Sequence, residues 1–232
     1  PLLEQLDQFS ADLLAKVVLT HNLPEPDLVA GRHFGFVLQR IHNSTPQGFG
    51  ANNNQAFKHC ETGWFLVLNP DIRFDGEVLR PLIDLAAVGA GLMAPRILEP
   101  GKAEPEQHRR IITPLEILTR RRPGYPVPSQ PDWIPGLFML FRREAYAGVG
   151  GFDDRRYFMY GEDFDICARL RLDGWRIQIG EHLHVRHEAQ RASRRSGRHL
   201  WWHMTSLLKV WSSSVFWRLW GTQEQSGPTV GR

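Results

Sequence analysis

The chain has 232 residues, 42% of them hydrophobic and 23% charged, with 28 Lys+Arg against 25 Asp+Glu. That length buries a sizeable core, as one large domain or two small ones, and the composition excludes wholesale disorder. A formal charge of +3 excludes a global polycation built for nucleic acid, so basic character must be local.

No uncharged apolar run approaches the roughly 18–20 residues that span a bilayer. Glu4, Asp7 and Asp12 stand where a signal peptide would be basic, and none is expected. Two cysteines, Cys60 and Cys167, cannot make a disulfide framework and read as reduced core residues of a cytosolic protein. The chain starts with Pro, so an N-terminal piece is expected to be missing.

In chain order, Leu2, Leu6, Phe9 and Leu13 predict an amphipathic helix over Pro1 to Leu14. Lys16 to Thr20 and Phe36 to Ile41 read as strands. A polar turn over Asn43 to Asn54 leads into a short helix ending near Cys60. Trp64 to Leu68 is continuously apolar, the pattern of a strand buried on both faces of a parallel sheet. A helix over Glu77 to Ala87 and a strand over Gly91 to Ile97 continue an α/β alternation. Glu99 to Gln130 is charged and Pro-rich, with Arg109, Arg110 and Arg120 to Arg122. It reads as a surface excursion with one short helix near Pro114 to Arg121. Ile134 to Phe141 returns to strand, Arg142 to Val149 and Glu162 to Asp173 are helical, and two strand-like segments follow, Trp175 to Ile179 and His182 to Arg186. From Ala189 to Thr222 there is no acid, while Arg191, Arg194, Arg195, Arg198, Lys209 and Arg218 interleave with Trp201, Trp202, Trp211, Trp217 and Trp220. That segment reads as one or two basic, Trp-rich helices.

Four places could carry chemistry. Asp71, in Asn69-Pro70-Asp71, follows a strand, where open α/β sheets place their ligands; a carboxylate there can hold a divalent cation against a diphosphate. The same residues also make an ordinary turn. Glu162, Asp163 and Asp165 crowd three carboxylates at a helix start. One or two would serve the helix dipole, but three repel, which can raise a carboxyl toward the range of a general base. His182, His184 and His187 lack a fourth ligand for a closed zinc site, and one of them could complete a cation held by Asp71. Gln47 to Asn54 combines glycines with Asn52, Asn53 and Asn54 ahead of a helix, where backbone N–H groups meet phosphate and amides can read a sugar or a base.

Taken in order, the stretches GFGANNNQAF, WFLVLNPDIRF, LMAPRILEPGK, GLFMLFRREAYAGVGGFDDRRYFMYGEDFDICARL and HEAQRAS resemble family 2 glycosyltransferases of the GT-A fold, of the rhamnosyltransferase-like kind. The resemblance spans about Gly48 to Trp220 and implies an α/β fold: a Rossmann-like, mixed, mostly parallel sheet flanked by helices. It divides the chain into a catalytic domain over residues 1–188 and a basic, Trp-rich helical tail over 189–232. The family's opening βα unit is not found ahead of the Pro1 helix, so the catalytic domain is expected to be N-terminally incomplete.

The resemblance further implies inverting, metal-dependent transfer of a hexose, with rhamnose the family-level expectation, from a dTDP- or UDP-sugar to a saccharide or polyprenyl-linked acceptor in surface polysaccharide synthesis. Asp71 and His187 match its ligands for Mg²⁺ or Mn²⁺. Asn52, Asn53, Asn69 and Asp71 fall on the donor side, and Trp133, Gly136 and Leu137 border the acceptor pocket. Asp163 matches the catalytic base, with Glu162 as its runner-up. The tail reads either as an interfacial helix on an anionic membrane or as a helix packing its Trp residues on the domain. The expected location is cytoplasmic, peripheral on the inner membrane face, and nucleic acid is not expected as a partner. The rival readings are a noncatalytic, truncated sugar-nucleotide or glycan-binding module, and a Trp-rich membrane adaptor.

Overall fold

The structure is a computed structural model that describes residues 1–100, 109–120, 122, 124–125, 128, 130–188 and 197–225. Of the expected basic tail residues, Arg191, Arg194 and Arg195 lie outside this set, as do the last five residues of HEAQRAS and Arg121.

Helix α1 (Leu2–Ser10) stops four residues short of the predicted helix end at Leu14 and buries Leu6. It is tied to the sheet by Gln5, whose amide donates to the Phe74 carbonyl at 2.9 Å and accepts the Phe74 N–H at 3.1 Å. Strands β1 (Lys16–His21) and β2 (Val37–His42) pair in parallel as a separate two-stranded sheet. Helix α2 (Phe49–Phe57) follows and begins before the Asn run, because the Gly48 cap directly precedes a stretch with no β-branched residue. The three asparagines are therefore helical, where the sequence predicts a turn.

The main sheet holds β3 (Trp64–Leu68), β4 (Ile72–Arg73), β5 (Ala90–Leu98), β6 (Phe138–Arg142) and β7 (Arg176–His187), in the order β3-β6-β5-β7-β4. It is mixed: β3, β5 and β7 share a direction, while β6 and β4 oppose them. The continuously buried strand is β5, at the centre, with Ala90, Leu92, Met93 and Ala94 all sealed. β3 departs from expectation. It ends the strand order, pairs only with antiparallel β6, and alternates buried Phe65 and Val67 with half-buried neighbours.

Helices α3 (Leu79–Asp84), α4 (Pro114–Thr119), α5 (Arg143–Gly148) and α6 (Glu162–Leu172) complete the body. Thr113 caps α4 by accepting the Glu116 N–H. Where two strand segments are predicted near the end, β7 is one strand with an irregularity. Pro95 faces Gly180 but Arg96 faces His184, and the extra residues carry the far half of β7 onward to β4.

Two helices are the last elements among the described residues, α7 (Gly197–Trp211) and α8 (Ser214–Gln225). Val210, Phe216 and Leu219 join the same hydrophobic core as the sheet, with Phe216 against Phe164 of α6 and the Trp211 indole N–H donating to the Ile112 carbonyl at 2.7 Å. The opposite face of α7 leaves Trp201, Met204 and Leu208 exposed, and α8 exposes Trp217. No helix among the described residues is long and apolar enough to cross a membrane.

Candidate active site

The turn after β3 and the end of β7 are distant in sequence, yet the two-residue pairing of β4 with β7 sets Ile72 opposite His187. That register brings His187 Nε2 to 3.0 Å from Asp71 Oδ2. The Glu188 N–H donates to the Asp71 carbonyl at 2.9 Å, and Arg73 pairs with the Glu188 carboxylate at 2.9 Å, which fixes both strands on either side of the contact. The other imidazole nitrogen, Nδ1, is 3.8 Å from Glu99. That Nδ1 is buried and makes no hydrogen bond, so Glu99 stands near the ring at ion-pair distance only. Asp71 Oδ1 is buried and has no hydrogen-bond partner. A 3.0 Å gap between an oxygen and a nitrogen matches the edge of an octahedron with bonds of about 2.1 Å. This donor set therefore fits a divalent cation, although no group of three or more His, Cys, Asp or Glu ligands gathers among the described residues. His182 and His184 are exposed and take no part.

The second cluster is local. Tyr160 and Gly161 adopt left-handed backbone in succession, with φ of 69° and 91°, and Gly161 caps α6. The three acids of its first turn then separate by role. Asp165 turns away to pair with Arg169 at 2.7 Å, and Arg169 also donates to the Val149 and Gly151 carbonyls, so this acid is structural. Glu162 is buried, with Oε2 lacking any hydrogen-bond partner. Burial, reinforced by the Asp163 charge, pushes its carboxyl up to about 7. Asp163 keeps partial access to solvent. Burial raises it as well, against the opposing pull of the Phe164 N–H, the Arg109 guanidinium and the Gly136 N–H. Two adjacent carboxyls are thus both held above their ordinary range.

Residues 135–137 join the two clusters. The Asn69 N–H donates to the Leu137 carbonyl at 3.0 Å, and the Gly136 N–H donates to Asp163 Oδ2 at 3.3 Å. Gly136 is needed for close approach: an added Cβ would lie 3.1 Å from the Phe49 ring and 3.8 Å from Asp163 Cβ. Leu137 is thus hydrogen-bonded to Asn69, two residues before Asp71, and Gly136 to Asp163.

Trp133 does not line an open pocket. It is 4% exposed, donates its indole N–H to the Arg110 carbonyl at 2.8 Å, and packs edge-on to Phe164 with Arg109 over its ring. It supports the site from behind because its large apolar ring is worth more in the core than at the surface. The asparagines also divide. Asn52 accepts from Asn43, which in turn donates to Asn22, making a polar network at the ends of β1 and β2. Asn53 instead donates back to the Phe49 carbonyl inside α2, so its amide is spent within its own helix.

Glu99 and Arg109 are charged neighbours of the two clusters that sequence reasoning misses, and no local pattern marks them, since each is placed by tertiary pairing. Asn54, the last residue of the Asn run, is structural. It accepts from Tyr146 and from the Phe152 N–H and donates to the Phe152 carbonyl, pinning the loop after Gly151.

The family model for glycosyl transferase family 2 matches residues 28–150, just over half of the chain. Among relatives, the chain is 30% identical to the N-acetylglucosaminyl-diphospho-decaprenol L-rhamnosyltransferase of Mycobacterium tuberculosis, over 62% of this chain and 53% of that protein. It is 39% identical to rhamnosyltransferase WbbL of Escherichia coli, over 34% of this chain and 30% of that one. The chain thus spans about half the length or less of the curated relatives it matches. In fold it is similar to GalNAc-T7, solved with UDP, GalNAc and Mn²⁺, with a TM-score of 0.61 at 13% identity, covering 79% of this chain and 39% of that one. The fold is GT-A.

Proposed function

Because the chain belongs to glycosyl transferase family 2 and is rhamnosyltransferase-like, we propose that it moves a sugar from a nucleotide-diphosphate donor to a saccharide or polyprenyl-linked acceptor in surface polysaccharide synthesis, with inversion at the anomeric carbon. Rhamnose, carried by dTDP or UDP, is the donor sugar this reading favours, since the relatives bear rhamnosyltransferase names. The observation that carries it is the linkage of two unlike acid clusters through residues 135–137: Asp71 with His187 on one side, Glu162 with Asp163 on the other.

Asp71 and His187 would hold Mg²⁺ or Mn²⁺, with the donor's diphosphate completing the coordination. Such a cation supplies charge neutralisation for the leaving diphosphate. Asp163 takes the proton of the acceptor hydroxyl while that oxygen bonds to the anomeric carbon from the face opposite the donor's diphosphate. The bond from that carbon to the diphosphate oxygen breaks, and its electrons leave with the nucleoside diphosphate. Glu162 shares the proton economy of the pair near neutral pH. The Asn22, Asn43 and Asn52 network offers donor-side hydrogen bonds at the ends of β1 and β2.

A cytoplasmic, peripheral location on the inner membrane face fits the exposed Trp201, Met204 and Leu208 of α7. They recur at helical spacing opposite the packed face, with Lys209 and Arg218 also exposed.

The test is a donor screen by calorimetry with dTDP-, UDP- and GDP-sugars, with Mn²⁺ and again with EDTA. It is followed by a transfer assay on a polyprenyl-diphosphate-linked N-acetylglucosamine. Metal-dependent binding of one nucleotide with transfer supports the proposal. Binding without turnover would replace it with the noncatalytic module. Co-sedimentation with anionic but not zwitterionic vesicles supports the membrane contact, and equal failure on both removes it.

A further inference from the structure

Tyr160 is the one non-glycine residue with positive φ among the described residues, and it precedes the acids of α6 by two and three positions. A bulky side chain stays in left-handed backbone only where its surroundings hold it there, and such strain collects at functional sites. Here the surroundings come from α7. The His203 ring stacks on the Tyr160 ring, centroids 3.6 Å apart and planes within 18°. Three residues on, the Ser206 hydroxyl donates to the Met159 carbonyl at 2.8 Å. Four residues further, Val210 closes against Gly161, whose added Cβ would lie 3.1 Å from Val210 Cγ2. Arg156, at the start of the same loop, donates to the Lys209 carbonyl at 2.7 Å and to the Ser212 hydroxyl at 2.9 Å.

His203, Ser206 and Val210 recur at i, i+3 and i+7, so one face of α7 meets the 156–161 loop, buried at Ser206 and Val210 and open to solvent at the edge of the His203 stack. Its other face carries the exposed Trp201, Met204 and Leu208.

We propose that His203 is a positioning residue of the transfer reaction: its stack on Tyr160 locks the left-handed Tyr160–Gly161 turn from which Glu162 and Asp163 are aimed. The inference rests on the reading of those two acids as the proton-handling pair. The C-terminal helices are then a working part of the active site, and a membrane contact on the outer face of α7 would sit one helix away from the base. Tyr160 and Asp163 face Glu162, Arg109 faces Asp163 from beside Trp133, Cys167 lies near Asp163 on α6, and His203 approaches from α7. With the stack gone, the left-handed turn relaxes, water reaches buried Glu162 and more of Asp163, and their raised protonation falls to lower pH.

The experiment compares His203→Ala with His203→Phe, which keeps a stacking ring and loses the imidazole. His203→Ala should lower kcat about tenfold with donor KM within twofold, and move the acid limb of the kcat profile to lower pH. His203→Phe should restore both to within about threefold. As a second variant, Tyr160→Gly suits the left-handed backbone and removes the ring. It should lose kcat as His203→Ala does, and the double variant should be no worse than Tyr160→Gly alone. Equal loss in His203→Ala and His203→Phe, or additive losses in the double variant, overturns the proposal. A carbon-13 titration of the Glu162 and Asp163 carboxyls needs no turnover and separates this failure from failure of the function. A midpoint lowered in His203→Ala and restored in His203→Phe supports the positioning role even in a protein that transfers no sugar, and unmoved midpoints overturn it.

Discussion

The two acid clusters are built on opposite plans. Asp71 and His187 are 116 positions apart and meet because two short strands pair. Glu162 and Asp163 are adjacent and are aimed by a strained turn at a helix start. The first offers an unpartnered oxygen beside an imidazole, with a further carboxylate behind it. The second is enclosed until its protons bind more tightly than usual. A carboxylate oxygen left without a partner beside an imidazole suits a cation, and a desolvated acid pair suits proton transfer. The contrast teaches that carboxylates of one chemistry are assigned different work by what surrounds them.

The sharpest way to break the contrast is Asp163→Asn. Transfer should fall about 10³-fold while metal-dependent donor binding persists, as read by single-turnover assay beside calorimetry. Persistent transfer would move the base to Glu162. Asp71→Asn should do the reverse, weakening donor binding in Mn²⁺ to the level seen in EDTA and lowering transfer about 10²-fold. If its donor affinity still responds to Mn²⁺, the cation lies elsewhere.

Glu162→Gln tests burial through stability. Because Glu162 is raised from 4.5 to about 7, the folded protein holds its proton more tightly than the unfolded chain does. Stability from this group is full below about 4.5 and falls as pH rises toward 7. Between pH 5 and pH 8 the parent should therefore lose about 1–3 kcal/mol more than Glu162→Gln in urea melts. Parallel losses would mean that Glu162 ionises freely. The smallest effect is expected at Glu99→Gln, which leaves the ligands in place and removes a negative charge 3.8 Å from the His187 ring. Its apparent Mn²⁺ affinity should drop about tenfold, with unchanged kcat at saturating metal.

Much of the α/β alternation was legible because each element carries its own period and punctuation. The acids of α6 were legible for the same reason, since contiguity put them on one helix start. Trp133 misled because an aromatic residue beside a pocket motif looks the same in sequence whether it faces the pocket or the core. Asn53 misled because an amide in a polar run does not announce that its helix will start early and claim it.

The sequence by itself determined the family, the order of elements and the identity of most acids, all of which rest on local pattern and short-range spacing. Tertiary structure alone decided that β5 and not β3 is the fully buried strand, since burial depends on position in the sheet order. It alone decided how His187, already singled out by the resemblance, reaches Asp71, because the irregularity in β7 carries the strand on to β4. And it decided that the last helices clasp the turn before α6, because stacking and hydrogen bonds between His203, Ser206 and the 156–161 loop join residues some forty positions apart, a distance over which no periodicity reaches.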